Sequence, residues 1–262
     1  FLANNLPFPT SRFNVYQGRQ GTRPYQDLID YVNRMGGFIF LAHPEVFSQK
    51  AYFGIESYTA PYPEDLILAR DYTGFSLILT LRGRCEVLGY RCGMTEPGDM
   101  WDKLLMEYME GKRKKPSWII GSPHYTGESG AIDLVETIFF VKEAREKEVL
   151  DALKQGRMYV RFNLGSNPLT LNEFSVKNNG FGSIRIIIKG SLVPALEPVE
   201  ATKIELIRNG KIFKSFEETQ GDWTIIVEDN LSAKEARAYY RLKINSPSSI
   251  IFSNPVFVEA RE

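Results

Sequence analysis

Two short apolar runs constrain this chain more than any other feature: Gly36-Gly37-Phe38-Ile39-Phe40-Leu41-Ala42-His43-Pro44 and Trp118-Ile119-Ile120-Gly121-Ser122-Pro123-His124. Each has the length of a strand and ends in an imidazole, which is how an α/β protein delivers a polar side chain to the edge of a buried sheet. Between them they hold both histidines of the chain. A helix precedes the first run. Pro24 suits a first helical turn, and Tyr25, Leu28, Ile29 and Val32 recur at one-face spacing until Gly36-Gly37 stops the helix. Helix, tight turn and strand make one αβ unit of a mostly parallel sheet.

The chain continues with a Tyr-rich loop over 46–62, whose Phe47, Tyr52, Phe53, Tyr58 and Tyr62 are expected to cover the sheet edge or to line a substrate cleft. Pro63 opens a helix over 64–71, and strands follow over 75–81 and 85–88. Pro97-Gly98-Asp99 signals a helix start with Asp99 as N-cap; Trp101, Leu104, Leu105 and Tyr108 form its buried face up to Gly111. A strand over 137–141, a helix over 144–155 burying Val149, Leu150 and Leu153, and a strand over 157–161 complete the α/β part.

Past Gly165 the pattern changes. Segments at 171–176, 184–188, 204–208, 211–216, 223–227, 237–244 and 256–259 alternate or run apolar between closely spaced turns, and Asn209-Gly210 is a two-residue hairpin turn. These predict an antiparallel β-sandwich. The expected organisation is an α/β domain over 1–163 and a β-sandwich domain over 164–262.

Charge narrows the partners. With 32 basic and 32 acidic residues among 262 there is no global field to hold nucleic acid or an anionic membrane. The run Lys112-Arg113-Lys114-Lys115 follows a helix end and is expected to complement its dipole and solvate a loop. No apolar segment approaches the roughly 20 residues that span a bilayer. Cys85 and Cys92 lack a second pair for a zinc site and are expected to be free thiols. The opening Phe1-Leu2-Ala3-Asn4-Asn5-Leu6-Pro7 has no Met and no signal-peptide pattern, and reads like the middle of a longer protein.

For chemistry, His43 and His124 suit metal ligation by position, with Glu45, Glu56, Glu86, Glu128 and Asp133 in nearby connecting segments. The bland alternative for each histidine is a structural hydrogen-bonding group. There is no G-x-S-x-G elbow and no Gly-rich phosphate loop.

The order of motifs resembles the later half of a PHP (polymerase and histidinol phosphatase) domain. It runs Gly-Gly-x-x-x-x-Ala-His-Pro, then Glu86-Val87-Leu88-Gly89-Tyr90-Arg91, Trp101-Asp102-x-Leu104-Leu105, Gly121-Ser122-x-His124 and Gly156-Arg157-x-Tyr159. Arg208-Asn209-Gly210-Lys211, Tyr239-Tyr240-Arg241 and Ser253-Asn254-Pro255-Val256 resemble the β-sandwich tail of stand-alone PHP hydrolases. The resemblance implies a partial, distorted (β/α)7-type barrel followed by an antiparallel β-sandwich. It also implies a divalent metal (zinc, manganese or iron) and hydrolysis of a small-molecule ester or phosphoester. Carried over by position, His43 matches a metal ligand and His124 is the second candidate. Glu86 matches a carboxylate near the site. The family's first-half His-x-His is missing, and Pro123 and Tyr125 stand where an Asp and a His ligand belong, so the site is expected to be incomplete or degenerate. The alternative is a non-catalytic protein that binds a carbohydrate, peptide or partner chain.

Overall fold

A computed structural model describes residues 23–42, 44, 48–52, 55–59, 69–77, 94–123, 133–165, 168–192, 201–218, 221–232, 235 and 237–260. Helices α1 (Arg23–Arg34), α2 (Met100–Met109) and α3 (Glu146–Gln155) accompany fifteen strands among these residues. The strands are β1 (Phe40–Ala42), β2 (Ser48–Tyr52), β3 (Ile55–Thr59), β4 (Gly74–Leu77), β5 (Trp118–Gly121), β6 (Val135–Phe139), β7 (Met158–Asn163) and β8 (Thr170–Asn178). They continue with β9 (Ser183–Leu192), β10 (Thr202–Arg208), β11 (Lys211–Glu218), β12 (Gly221–Asn230), β13 (Arg237–Asn245), β14 (Ser249–Ser253) and β15 (Val256–Glu259).

The two apolar runs do become parallel strands. β1, β4 and β5 form a three-stranded sheet in that order, both pairings parallel. The barrel and the PHP resemblance are not supported, however. β6 and β7, read from sequence as the last strands of the α/β part, pair antiparallel with each other, and β7 pairs antiparallel with β14. They belong to a seven-stranded sheet ordered β11-β10-β13-β14-β7-β6, with β15 alongside β13. The parallel sheet among the described residues is therefore open and short, and most strands are antiparallel. A short apolar run carries no mark of its neighbour's direction, which is why the sequence leaves this undecided.

The large sheet is the central layer, because its strands alternate between two apolar clusters. Ala238, Tyr240, Leu242, Ile244, Ile251 and Tyr159 face the second antiparallel sheet, β12-β9-β8, and meet Ile184, Ile186, Ile188, Trp223, Ile225 and Val227. Tyr239, Phe252, Val160 and Phe162 face the other way, onto Trp101, Leu104 and Leu105 of α2 and Phe75, Leu77 and Ile119 of the parallel sheet. Period-two alternation lets one strand serve both cores. Helix α3 takes little part: Ala152 is its buried residue, and Leu150, expected in the core, is 38% exposed.

One joint between the layers has no strand at all. The main chain of Ile119 points away from β4, and the Asn254 side chain satisfies it: Ile119 N donates to Oδ1 (2.8 Å) and Nδ2 donates to Ile119 O (3.0 Å). Nδ2 also reaches Met158 O at 3.2 Å. Two residues on, Gly121 N donates to the Thr137 hydroxyl at 2.8 Å. Asn254 and Thr137 thus terminate the parallel sheet as a neighbouring strand would, leaving no buried backbone group of β5 orphaned there.

Candidate functional site

Parallel sheets take ligands outside the carboxyl ends of their strands. Here β1, β4 and β5 share one such exit edge, since Ala42 pairs with Ser76 and Leu77 with Gly121. Ser122 N donates to Leu77 O (2.8 Å), carrying the pairing one residue past β5. Gly121 is required by space: a Cβ there would lie 2.7 Å from Val135 Cγ1 and 3.0 Å from Glu136 O. His43 follows β1 in sequence and His124 follows Pro123, but both lie outside the described residues, as do Cys85, Cys92, Glu86, Glu45 and Glu128. Among the described residues no group of three or more His, Cys, Asp or Glu side chains could hold a metal ion. The resemblance that implied a PHP-type hydrolase is not supported by this sheet topology.

The aromatic segment is not a plain loop. Its described part is an antiparallel hairpin, β2 on β3, with Ser48 opposite Thr59 and Tyr52 opposite Ile55. It is the first structure the chain makes after leaving β1 at the exit edge.

The opposite, entry end of the sheet is tied down by polar side chains. Glu107 Oε2 accepts from Arg113 Nε at 2.7 Å and from Arg70 Nη1 at 2.8 Å, and Arg113 Nη1 donates to Ala69 O. Lys114 N donates to Asp71 Oδ1, and Lys115 Nζ to Asn33 Oδ1. Burial pulls the Glu107 carboxyl up, but the two guanidinium groups outweigh it and hold it below the usual carboxylate range. The basic run is therefore not simply a solvated loop. The Arg113 side chain is almost wholly buried and locks the approach to β5.

A third cluster, missed by sequence reasoning as a unit, is fully closed to solvent. Asp102 in the first turn of α2 receives Arg241 Nε on Oδ1 and Nη2 on Oδ2, both at 2.7 Å. Tyr239 OH donates to Oδ1 (2.8 Å) and Gly98 N to Oδ2 (2.7 Å). The Arg241 guanidinium also stacks 4.8 Å from the Trp101 ring centroid. Burial, then the adjacent Asp102 carboxylate, pushes the Tyr239 phenol well above its ordinary value. With both carboxylate oxygens doubly occupied and no solvent access, Asp102 cannot serve as a base or ligand. It clasps α2 to the central sheet. Asp102 reaches back to Gly98 N, just outside the helix, whereas Asp99 sits at the N-cap without a capping bond from its side chain.

No family model matches this chain, and no curated protein matches it. A solved structure that does match is a DUF3823 family protein from Bacteroides ovatus, at 17% identity and a TM-score of 0.27. The match covers 36% of this chain and 57% of that one. The function of this chain is not read from it.

Proposed function

We propose that this chain is a non-catalytic binding protein for a carbohydrate, held at the exit edge of the parallel sheet beside the β2–β3 hairpin. The observation that supports the reading is the place of that hairpin in chain order, directly after β1. A segment containing Tyr52 and Tyr58, flanked in sequence by Phe47, Phe53 and Tyr62, leaves the sheet at the edge where α/β sheets take ligands. Aromatic surface with a few polar groups is the usual lining of a small-molecule site. An uncharged, polyhydroxylated ligand also fits a chain of zero net charge. His43 and His124 each follow a strand exit in sequence, and an imidazole is a residue type that can both donate to and accept from hydroxyl groups.

Calorimetric titration with a panel of neutral oligosaccharides tests this. Saturable binding to a member of the panel is expected, weakened about tenfold or more in Tyr58→Ala and in His43→Ala with their melting temperatures unchanged. Absence of binding across the panel by the folded protein would refute the reading. So would turnover of the bound sugar.

A further inference from the structure

Two edge strands of the antiparallel layers, β11 and β12, are built differently. β11, the edge of the central sheet, carries Lys211 and Lys214 and meets β10 with a register shift, both of which discourage pairing with another chain. β12, the edge of the smaller sheet, has neither. Its ten residues pair with β9 in unbroken register from Gly221 opposite Leu192 to Asn230 opposite Ser183. It contains no Lys, Arg or Pro, and its outer edge meets no strand among the described residues. Trp223, Ile225 and Val227 face the core, whereas Ile226 lies on the outer face and is 52% exposed. Ile226 is paired there with the half-buried Ile187.

We propose that β12 is a self-association edge, and that two copies of this chain join β12 to β12 antiparallel about a two-fold axis at Ile226. The strand favours the register centred on Ile226, the one that both avoids facing like charges and sets Ile226 against its own copy. A continuous six-stranded sheet requires outer-face residues to stand opposite outer-face residues, so successive acceptable registers differ by two in the sum of the paired residue numbers. Centring on Ile225 sets Asp222 opposite Glu228 of the second copy, twice, and like charges directly opposite are unfavourable. Centring on Ile226 sets Asp222 opposite Asn230 and Thr224 opposite Glu228, with no like charges facing. It also aligns Ile187 and Ile226 of both copies in one apolar row across the joint. The contact is isologous and closes as a dimer instead of growing into a filament.

The test is sedimentation analysis of the whole chain over a range of concentrations, with Ile226→Lys as the disruptive variant. A reversible dimer is expected. Ile226→Lys should weaken it at least about tenfold by setting two ammonium groups opposite each other, with the melting temperature of the monomer preserved because the side chain is exposed. In a Cys85→Ser/Cys92→Ser background, Ile226→Cys should crosslink on oxidation and Thr224→Cys should not, since only residue 226 meets its own copy. A monomer at every concentration up to the solubility limit would overturn the proposal. So would a dimer indifferent to Ile226→Lys, or crosslinking of Thr224→Cys in preference to Ile226→Cys.

Discussion

Replacing Asn254 by Ala removes the side chain that stands in for a missing strand beside β5. Asn254 is 3% exposed and Ile119 is fully buried, so neither group can turn to bulk water. The variant orphans one buried N–H, which donates to Oδ1 at 2.8 Å, and one buried C=O, which accepts from Nδ2 at 3.0 Å. Each orphaned group costs about 1–3 kcal/mol. A water molecule entering the vacated space would recover part of this, which leaves an expected loss of about 2–4 kcal/mol. Urea denaturation followed by tryptophan fluorescence should show a lower midpoint with an unchanged slope. Amide exchange should accelerate at Ile119 in particular. Asn254→Asp should be worse at neutral pH, because a charged oxygen would then face Ile119 O and Met158 O. Its carboxyl pKa would be raised in the folded state, so the variant should regain stability as pH falls. A loss below about 0.5 kcal/mol in Asn254→Ala, or unchanged protection at Ile119, would refute the idea that this amide completes the sheet.

The other predictions concern charge. Asp102→Asn leaves the Arg241 guanidinium buried without its counter-ion and should destabilise by about 3 kcal/mol or more. The double variant Asp102→Leu/Arg241→Met removes the unpaired charge but leaves Tyr239 OH and Gly98 N without their acceptor, so it should recover part of that in the same denaturation assay, and a double variant less stable than the single one would count against the clasp. Glu107, Glu136, Glu173 and Glu235 all have folded-state pKa values lowered below the ordinary value. Burial opposes the shift at Glu107 and Glu136 but is outweighed by Arg113 at Glu107 and by Asn163 and Arg161 at Glu136; Lys189 leads at Glu173 and Arg208 at Glu235. A lowered carboxylate contributes stability above its unfolded value and loses it as pH falls through the folded one. The denaturation midpoint should therefore drop between about pH 5 and about pH 3, and Glu107→Gln should flatten that slope.

Much of the strand content was legible. Every segment expected past Gly165 falls within a strand, and Asn209-Gly210 closes β10 on β11 with both residues at positive φ, 49° and 78°. β14 was missed because Ser249-Ile250-Ile251-Phe252-Ser253 is short and lies between polar residues. The motif order that suggested a metal hydrolase had a different physical origin. Trp101-Asp102, Asn209-Gly210, Tyr239, Arg241 and Asn254 converge on the joint between α2, the parallel sheet and the central sheet. A Cβ on Gly210, for instance, would stand 3.2 Å from Asp102 Cβ. These residues hold layers together. Of the candidate site, the sequence revealed that two strands end in histidine and that an aromatic segment follows one of them. It gave no sign that the segment would form a hairpin.

By itself, then, the sequence determined which segments are extended, where turns fall and which strands alternate, because these depend on side-chain periodicity and local backbone preference within a few residues. Tertiary structure alone decided strand direction, the sharing of one sheet between two cores and the pairing of Asp102 with Arg241. Strands β6 and β7 could have extended a parallel sheet by their composition. Instead β7 pairs with β14, more than 80 residues further on, and β6 pairs with β7, while the edge of β5 is satisfied by the Asn254 amide and the Thr137 hydroxyl. That choice turns on hydrogen-bond satisfaction across long sequence separation, which no local pattern records.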